Sequence, residues 1–395
     1  MPSFLSFVEP TRPFIDWARL QESRNERARK VMKEHGADAI LTNVVDSVIY
    51  LTGWPKHRTS VHPGAYATLF IADAAEPIIF CSEGDSRGML QDRFYEDVRV
   101  IPPWQRLWPK MFAQAINDRA LDKATIALDG RMTATLHAAI VDVLPSAKIV
   151  NAGPLLDAMR RVKNPDEIAA YEYTLSLVEC GINAAIRAAT DSWGRYTEIE
   201  ISAIGQNEML KRGCHGTDIW CVSGPRAAPV RRYSTDKVVR GGELAVIDGP
   251  GSFNGFRAEF ARTVWTGGTP GKQHELLYRT IWQSHQEARK LMRPGIRVSA
   301  LEEACLAPVK EAGLEQFYGG YPYTGHGIGI RAEAFNVTAR FPELDLPLEE
   351  GMILNLEPAL WQDGVGGVRL EDTYLITAGG YQLLSRAPYE DRLLS

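Results

Sequence analysis

Six short apolar runs rich in β-branched residues, ADAILTNV, YATLFIAD, EPIIFCSE, VRVIPPW, ATIALDG and AKIVNAG, recur through the first 155 residues, punctuated by Gly, Pro and Asp. Runs of this length read as strands, and stretches of helical spacing fall between and around them at 17–35, 110–120 and 132–144. Strands mixed with helices in this way must bury a sheet under helices, which predicts an α/β domain. Gly36 ends the first helix and feeds the chain into the first strand.

A new pattern starts at Asn164-Pro165-Asp166-Glu167, where proline suits the first turn of a helix because it has no N–H to leave unpaired. The predicted domains are therefore 1–160 and 161–395. In the second, helices are expected over about 165–190 and 196–212, the latter stopped by Gly213, and again over 271–292 and 299–312. Strands are expected near 217–223 and 243–249, with a hairpin through GSFNGF and a strand-rich end from 352 to 384. There is no internal repeat or low-complexity segment.

The 395 residues carry a formal charge of -5, with no basic field for nucleic acid or an anionic membrane, so a small solute is the expected partner. No stretch approaches the roughly 18 apolar residues of a membrane span. Five scattered cysteines with no CxxC pair, and an N-terminus without a basic leader, point to a reducing cytoplasm.

The chemistry concentrates in the second half. In AVIDGPGSFNGFRAEFART, Asp248 ends an apolar strand and Glu259 follows eleven residues later across an Asn254-Gly255 turn, so two carboxylates can converge from paired strands. In YTGHGIGI, His326 is framed by Gly325, Gly327 and Gly329, a backbone that permits close approach. Glu357 in ILNLEPAL and Glu371 in GVRLEDTYLIT lie at or in apolar runs, where an ionised carboxylate needs a partner or a cation. Hard oxygen ligands with one imidazole suit Mn, Fe, Co or Zn.

With these residues in order, the chain resembles the creatinase, prolidase and aminopeptidase P family, from YLTGW at 50–54 through RVKNPDEI at 161–168 to NGF, ART, GHGIG, LEP and RLEDTYLIT. The resemblance implies an N-terminal creatinase-like α/β domain, a C-terminal α+β pita-bread catalytic domain and a homodimer. It also implies one or two divalent metal ions held by Asp248, Glu259, His326, Glu357 and Glu371, with His326 and Glu357 near the reaction. Glu259 is longer than the family's usual Asp. Creatinase and ectoine hydrolase work without metal, so a metal-free enzyme of that kind is an alternative.

Two departures bear on the reaction. Aligned through Ser223-Gly224-Pro225, the family peptidases' histidine is replaced by Arg231, followed by Arg232, and a second histidine beyond GHG is replaced by Glu333. Arg231, Arg232 or Arg226 is expected to fork onto a substrate carboxylate, and Glu333 to act as general base. Trp54 and Tyr66 are candidates to line the pocket, with His57 and His62 in the same loop; Cys214 and His215 are adjacent and are discounted as a metal pair. The expected enzyme is a metal-dependent hydrolase of a C–N bond in a small, carboxylate-bearing substrate. The alternatives are a lyase, because SGPRAAP resembles a segment of dimethylsulfoniopropionate lyases, and an Xaa-Pro aminopeptidase or dipeptidase.

Overall fold

The computed structural model describes residues 12–53, 65–91, 95–191 and 193–395. Two compact units result: Ile15–Arg160, and a second whose body is Arg161–Ser395. Trp54, His57 and His62 lie outside the described residues.

In the first unit all six apolar runs become strands of one sheet, in the order 98–100, 78–81, 65–71, 39–42, 125–128, 148–151. The sheet is mixed: Ala39–Thr42 pairs antiparallel with Ala65–Ile71 and parallel with Thr125–Leu128. Helices Trp17–Glu34, Trp108–Asp118 and Ala134–Val143 occupy the expected stretches. Helices at Val45–Thr52, Glu83–Gln91 and Gly153–Arg161 were not anticipated, because each is too short to show a clear 3.6-residue period. Leu41, Leu69, Phe80, Phe112, Ile126 and Leu128 are buried together, each large side chain contributing about 1.5–3 kcal/mol by its removal from water. Tyr66, half-buried, packs against the edge of this core, stacked on Trp108 at 5.5 Å.

The second unit begins as the NPDE segment requires. The Asn164 N–H donates to Glu167 Oε2 at 3.0 Å, and the Glu167 N–H donates to Asn164 Oδ1 at 2.8 Å. This reciprocal cap, with Pro165 in the first turn, starts helix Pro165–Asp191. A second capping box, Thr197 with Glu200, starts helix Glu198–Lys211. The two helices meet at Gly181 and Gly205, where a Cβ on either would come within 2.8 Å of the other's carbonyl.

The first of these helices lies against a hairpin of two ten-residue strands, Leu244–Phe253 and Phe256–Trp265. Its turn is the predicted Asn254-Gly255 pair, both at positive φ, 45° and 86°. Strand Trp220–Ser223 completes that sheet. A second sheet orders its strands 332–337, 325–328, 353–356, 372–377, 380–383, and a separate pair is formed by 359–362 and 366–369, the latter strand touching the hairpin. Residues 325–328 and 332–337 form two strands in a stretch to which the sequence assigned no element. Helices Lys272–Leu291 and Val298–Glu311 cover this half, with Val298, Leu301, Cys305, Val337, Leu354 and Tyr374 buried between helix and sheet. No helix among the described residues is long and apolar enough to cross a membrane.

Candidate active site

Strand register explains why carboxylates distant in sequence meet. Asp248 pairs with Ala261 and Pro250 with Glu259, so Asp248 and Glu259 share one face of the hairpin, one diagonal step apart. On the other sheet His326 pairs with Asn355, and Asn355 with Thr373. Side chains alternate with a period of two, so Glu357, two residues past Asn355, and Glu371, two residues before Thr373, follow His326 onto its face. A bridge between Ala261 and Glu371 joins the two sheets. The same parity carries Arg257, two before Glu259, and Arg369, two before Glu371, to the site.

His326 Nδ1 lies 3.0 Å from the Gly327 carbonyl, which makes Nδ1 the donor and leaves Nε2 facing Glu259 Oε2 at 3.4 Å and Glu357 Oε1 at 3.6 Å. The Arg257 Nε donates to Glu259 Oε1 at 2.6 Å. Arg369 spans two acids, Nη1 to Asp248 Oδ2 at 2.7 Å and Nη2 to Glu357 Oε2 at 3.0 Å. Glu371 accepts from Asn355 Nδ2 at 2.6 Å through Oε1, while its Oε2 is buried with no hydrogen-bond partner. The Thr373 hydroxyl donates to Asn355 Oδ1 at 2.9 Å and thereby fixes which end of the amide faces Glu371.

The electrostatics follow from this crowding. Burial pushes the Asp248 carboxyl up to about 6 despite the opposing pull of Arg369. Burial also disfavours a charged Glu259, but the His326 and Arg257 contacts outweigh it and hold the group at about 2. For His326, burial is outweighed by Glu259 and Glu357, which raise the imidazole to about 9. Glu371 is driven well above the carboxylate range by burial and by the neighbouring Asp248, Glu357 and Glu259. A carboxyl held this way, with one oxygen unsatisfied, is short of positive charge.

The pocket, about 320 Å³, is lined by Asp248, Glu259, His326, Glu357 and Arg369, and also by Asp218, Trp220, Arg232, Pro250, Arg257, Tyr321 and Tyr323. Glu259, His326 and Glu371 each offer a ligand atom, all within 4.8 Å of one another. With the unsatisfied Glu371 oxygen among them, these residues fit a divalent cation. Of the five expected ligands, Asp248 and Glu357 border the same space but are paired with Arg369.

The three candidate arginines separate. Arg226 grips the buried Glu198 and donates to the Tyr233 carbonyl at 2.8 Å; Glu198 also receives the Ser223 and Thr235 hydroxyls. Arg231 donates to the carbonyls of Arg226 at 2.8 Å and Ala228 at 3.0 Å. Arg226 and the Nη1 of Arg231 are engaged in local structure and neither residue lines the pocket; Arg232 is the one of the three that does. Glu333 stands on strand Ala332–Val337 opposite Gly327, and its side chain lies outside the described ones. Cys214 is buried, and the backbone of His215 bridges Ser252, which ties this pair into the sheet. Arg257, Arg369, Tyr321 and Tyr323 were missed. The i−2 spacing from Glu259 and Glu371 was the available signal for the two arginines.

The second unit thus brings a carboxylate–imidazole cluster from strands of two sheets to one small polar pocket. The chain belongs to metallopeptidase family M24, whose profile matches residues 159–378; residues 24–162 match the Creatinase/Prolidase N-terminal domain. It is a hydrolase of that family, with the pita-bread domain as its catalytic half. It is 25% identical over 373 residues to an Xaa-Pro dipeptidase of Pyrococcus furiosus, covering 93% of this chain and 99% of that protein. To an Xaa-Pro dipeptidase of Pyrococcus horikoshii it is 28% identical over 234 residues, 59% of this chain and 64% of that protein. Among solved structures, an Xaa-Pro dipeptidase from Bacillus anthracis aligns with a TM-score of 0.79 at 20% identity, covering 94% of this chain and 99% of that one. An X-Pro aminopeptidase from Thermotoga maritima aligns at 0.78 and 24% identity, covering 93% and 98%.

Proposed function

We propose that this chain hydrolyses a C–N bond in a small polar substrate with the help of a divalent cation held by Glu259, His326 and Glu371. The observation that carries the reading is the unsatisfied, fully buried Glu371 Oε2 in a cluster with an imidazole Nε2 and a second carboxylate. A cation bound there would supply a Lewis acid for a carbonyl oxygen and would lower the pKa of a bound water towards neutrality. The protein's part is orientation. Asn355 fixes one oxygen of Glu371, the Gly327 carbonyl fixes the His326 tautomer, and Arg369 holds Asp248 and Glu357 apart from one another's charge.

The elimination reading drew on SGPRAAP, whose arginine is held by Glu198 away from the pocket lining, and the relatives named above are peptidases, so hydrolysis is preferred. A second reading, cleavage of Xaa-Pro dipeptides, is favoured by near full-length similarity to proteins with that name. The test is turnover of N-acyl amino acids and Xaa-Pro dipeptides by manganese-loaded protein in ¹⁸O-water. Label in the acyl product is expected. An unlabelled or unsaturated product contradicts hydrolysis, and a marked preference for Xaa-Pro dipeptides selects the second reading.

A further inference from the structure

Charge pairing inside the pocket is uneven. Arg257 is matched to Glu259 and Arg369 to Asp248 and Glu357. Arg232 has no carboxylate within ion-pair range among the described residues. Its Nη2 reaches only the Gly320 carbonyl, at 3.3 Å, and its Nε is buried with no hydrogen-bond partner. A half-buried guanidinium with donors to spare forgoes hydration and gains little from the protein in return.

The same side chain is held firmly. Its guanidinium carbon lies 3.2 Å from the centre of the Tyr321 ring, Tyr321 stacks on Tyr323 at 4.9 Å and 5°, and Tyr323 meets His326 edge-on at 6.0 Å. A chain of ring contacts, stacked as far as Tyr323 and edge-on at the last step, therefore runs from Arg232 to the imidazole of the cluster. Stacking occupies a face of the guanidinium and leaves its N–H edge available, and that edge matches the two oxygens of a carboxylate. Burial and the nearby Arg369 lower Arg232 to about 10, which still leaves it charged at neutral pH.

We propose that Arg232, stacked on Tyr321, is the carboxylate anchor of this pocket and makes it selective for substrates that carry a free carboxylate near the scissile C–N bond. This rests on the cluster being the site of reaction. The geometry favours small acids such as N-acyl amino acids or dipeptides with a free C-terminus, and disfavours their amides. Arg232 is a specificity residue here, separate from the groups that would hold the cation.

Calorimetric titration of succinate and of its neutral counterpart succinamide into the protein as purified tests this without requiring turnover. Wild type is expected to prefer succinate. Arg232→Gln should weaken succinate by about tenfold or more, the loss of one charge-assisted hydrogen-bonded pair, with succinamide binding and metal content unchanged. Arg232→Lys should recover part of the preference. Succinate binding within about twofold of wild type in Arg232→Gln, or no preference for succinate in wild type, overturns the proposal. Equal losses for succinate and succinamide also overturn it, because they indicate only a disturbed wall. Failure of the hydrolase reading would show separately, as absent metal or absent ¹⁸O incorporation.

Discussion

Replacing Arg262 with methionine keeps most of the side chain's volume and removes five hydrogen bonds from the interior. The guanidinium donates to Asp372 Oδ1 at 2.7 Å and to the carbonyls of Glu371 and Ala387 at 2.8 Å, Ala261 at 3.0 Å and Pro388 at 3.2 Å. It lies over the rings of Phe260 and Tyr389, and is 2% exposed. Asp372 keeps Arg289, Ser385 and Tyr389, so it is weakened rather than stranded. The carbonyls of Glu371, Ala387 and Pro388 lose a donor in a place short of water. Breaking a buried pair of this kind costs about 3–5 kcal/mol, a large part of the roughly 5–15 kcal/mol of a typical domain. Urea unfolding of Arg262→Met should show that loss as a lower midpoint, with Arg262→Lys intermediate because an ammonium cannot span all five acceptors. A loss below about 1 kcal/mol would refute the idea that Arg262 ties the hairpin to the strand carrying Glu371.

Two further outcomes follow from the packing around the site. His285 is buried between the Tyr374 hydroxyl and the Leu370 carbonyl, and burial lowers its pKa to about 4. The unfolded chain binds a proton there at about 6.5, so the contribution is complete above that pH and is lost as pH falls towards 4. The loss reaches about 3 kcal/mol, and a denaturation series between those limits should be flatter for His285→Gln. Gly325→Ala would place a Cβ 2.2 Å from the Asn355 carbonyl oxygen between paired strands, so it should lower thermal stability and metal retention together; unchanged melting would contradict the close approach.

Much of this site could be read from sequence because it depends on local rules. The Asn254-Gly255 turn sets the hairpin register, and the register puts Asp248 and Glu259 on one face. The six runs of the first unit became strands because β-branched segments bounded by Gly, Pro and Asp have few other choices. What escaped was decided through space. Three arginines within seven residues look alike in sequence, yet Glu198, from a helix more than twenty residues away, takes Arg226, carbonyls take Arg231, and Tyr321 takes Arg232. Arg257 and Arg369 were legible only after the strands around them were paired. The Gly181–Gly205 crossing was illegible because a glycine in a helix does not announce its partner.

The central claim is that Glu259, His326 and Glu371 hold a divalent cation, and metal content tests it most directly. Protein stripped by chelation, reloaded separately with Mn, Fe, Co and Zn and then desalted should retain at least one equivalent of one of them. His326→Ala and Glu371→Gln should each lose it while remaining folded. Wild type that retains none of the four metals, or variants that retain as much as wild type, would contradict the account.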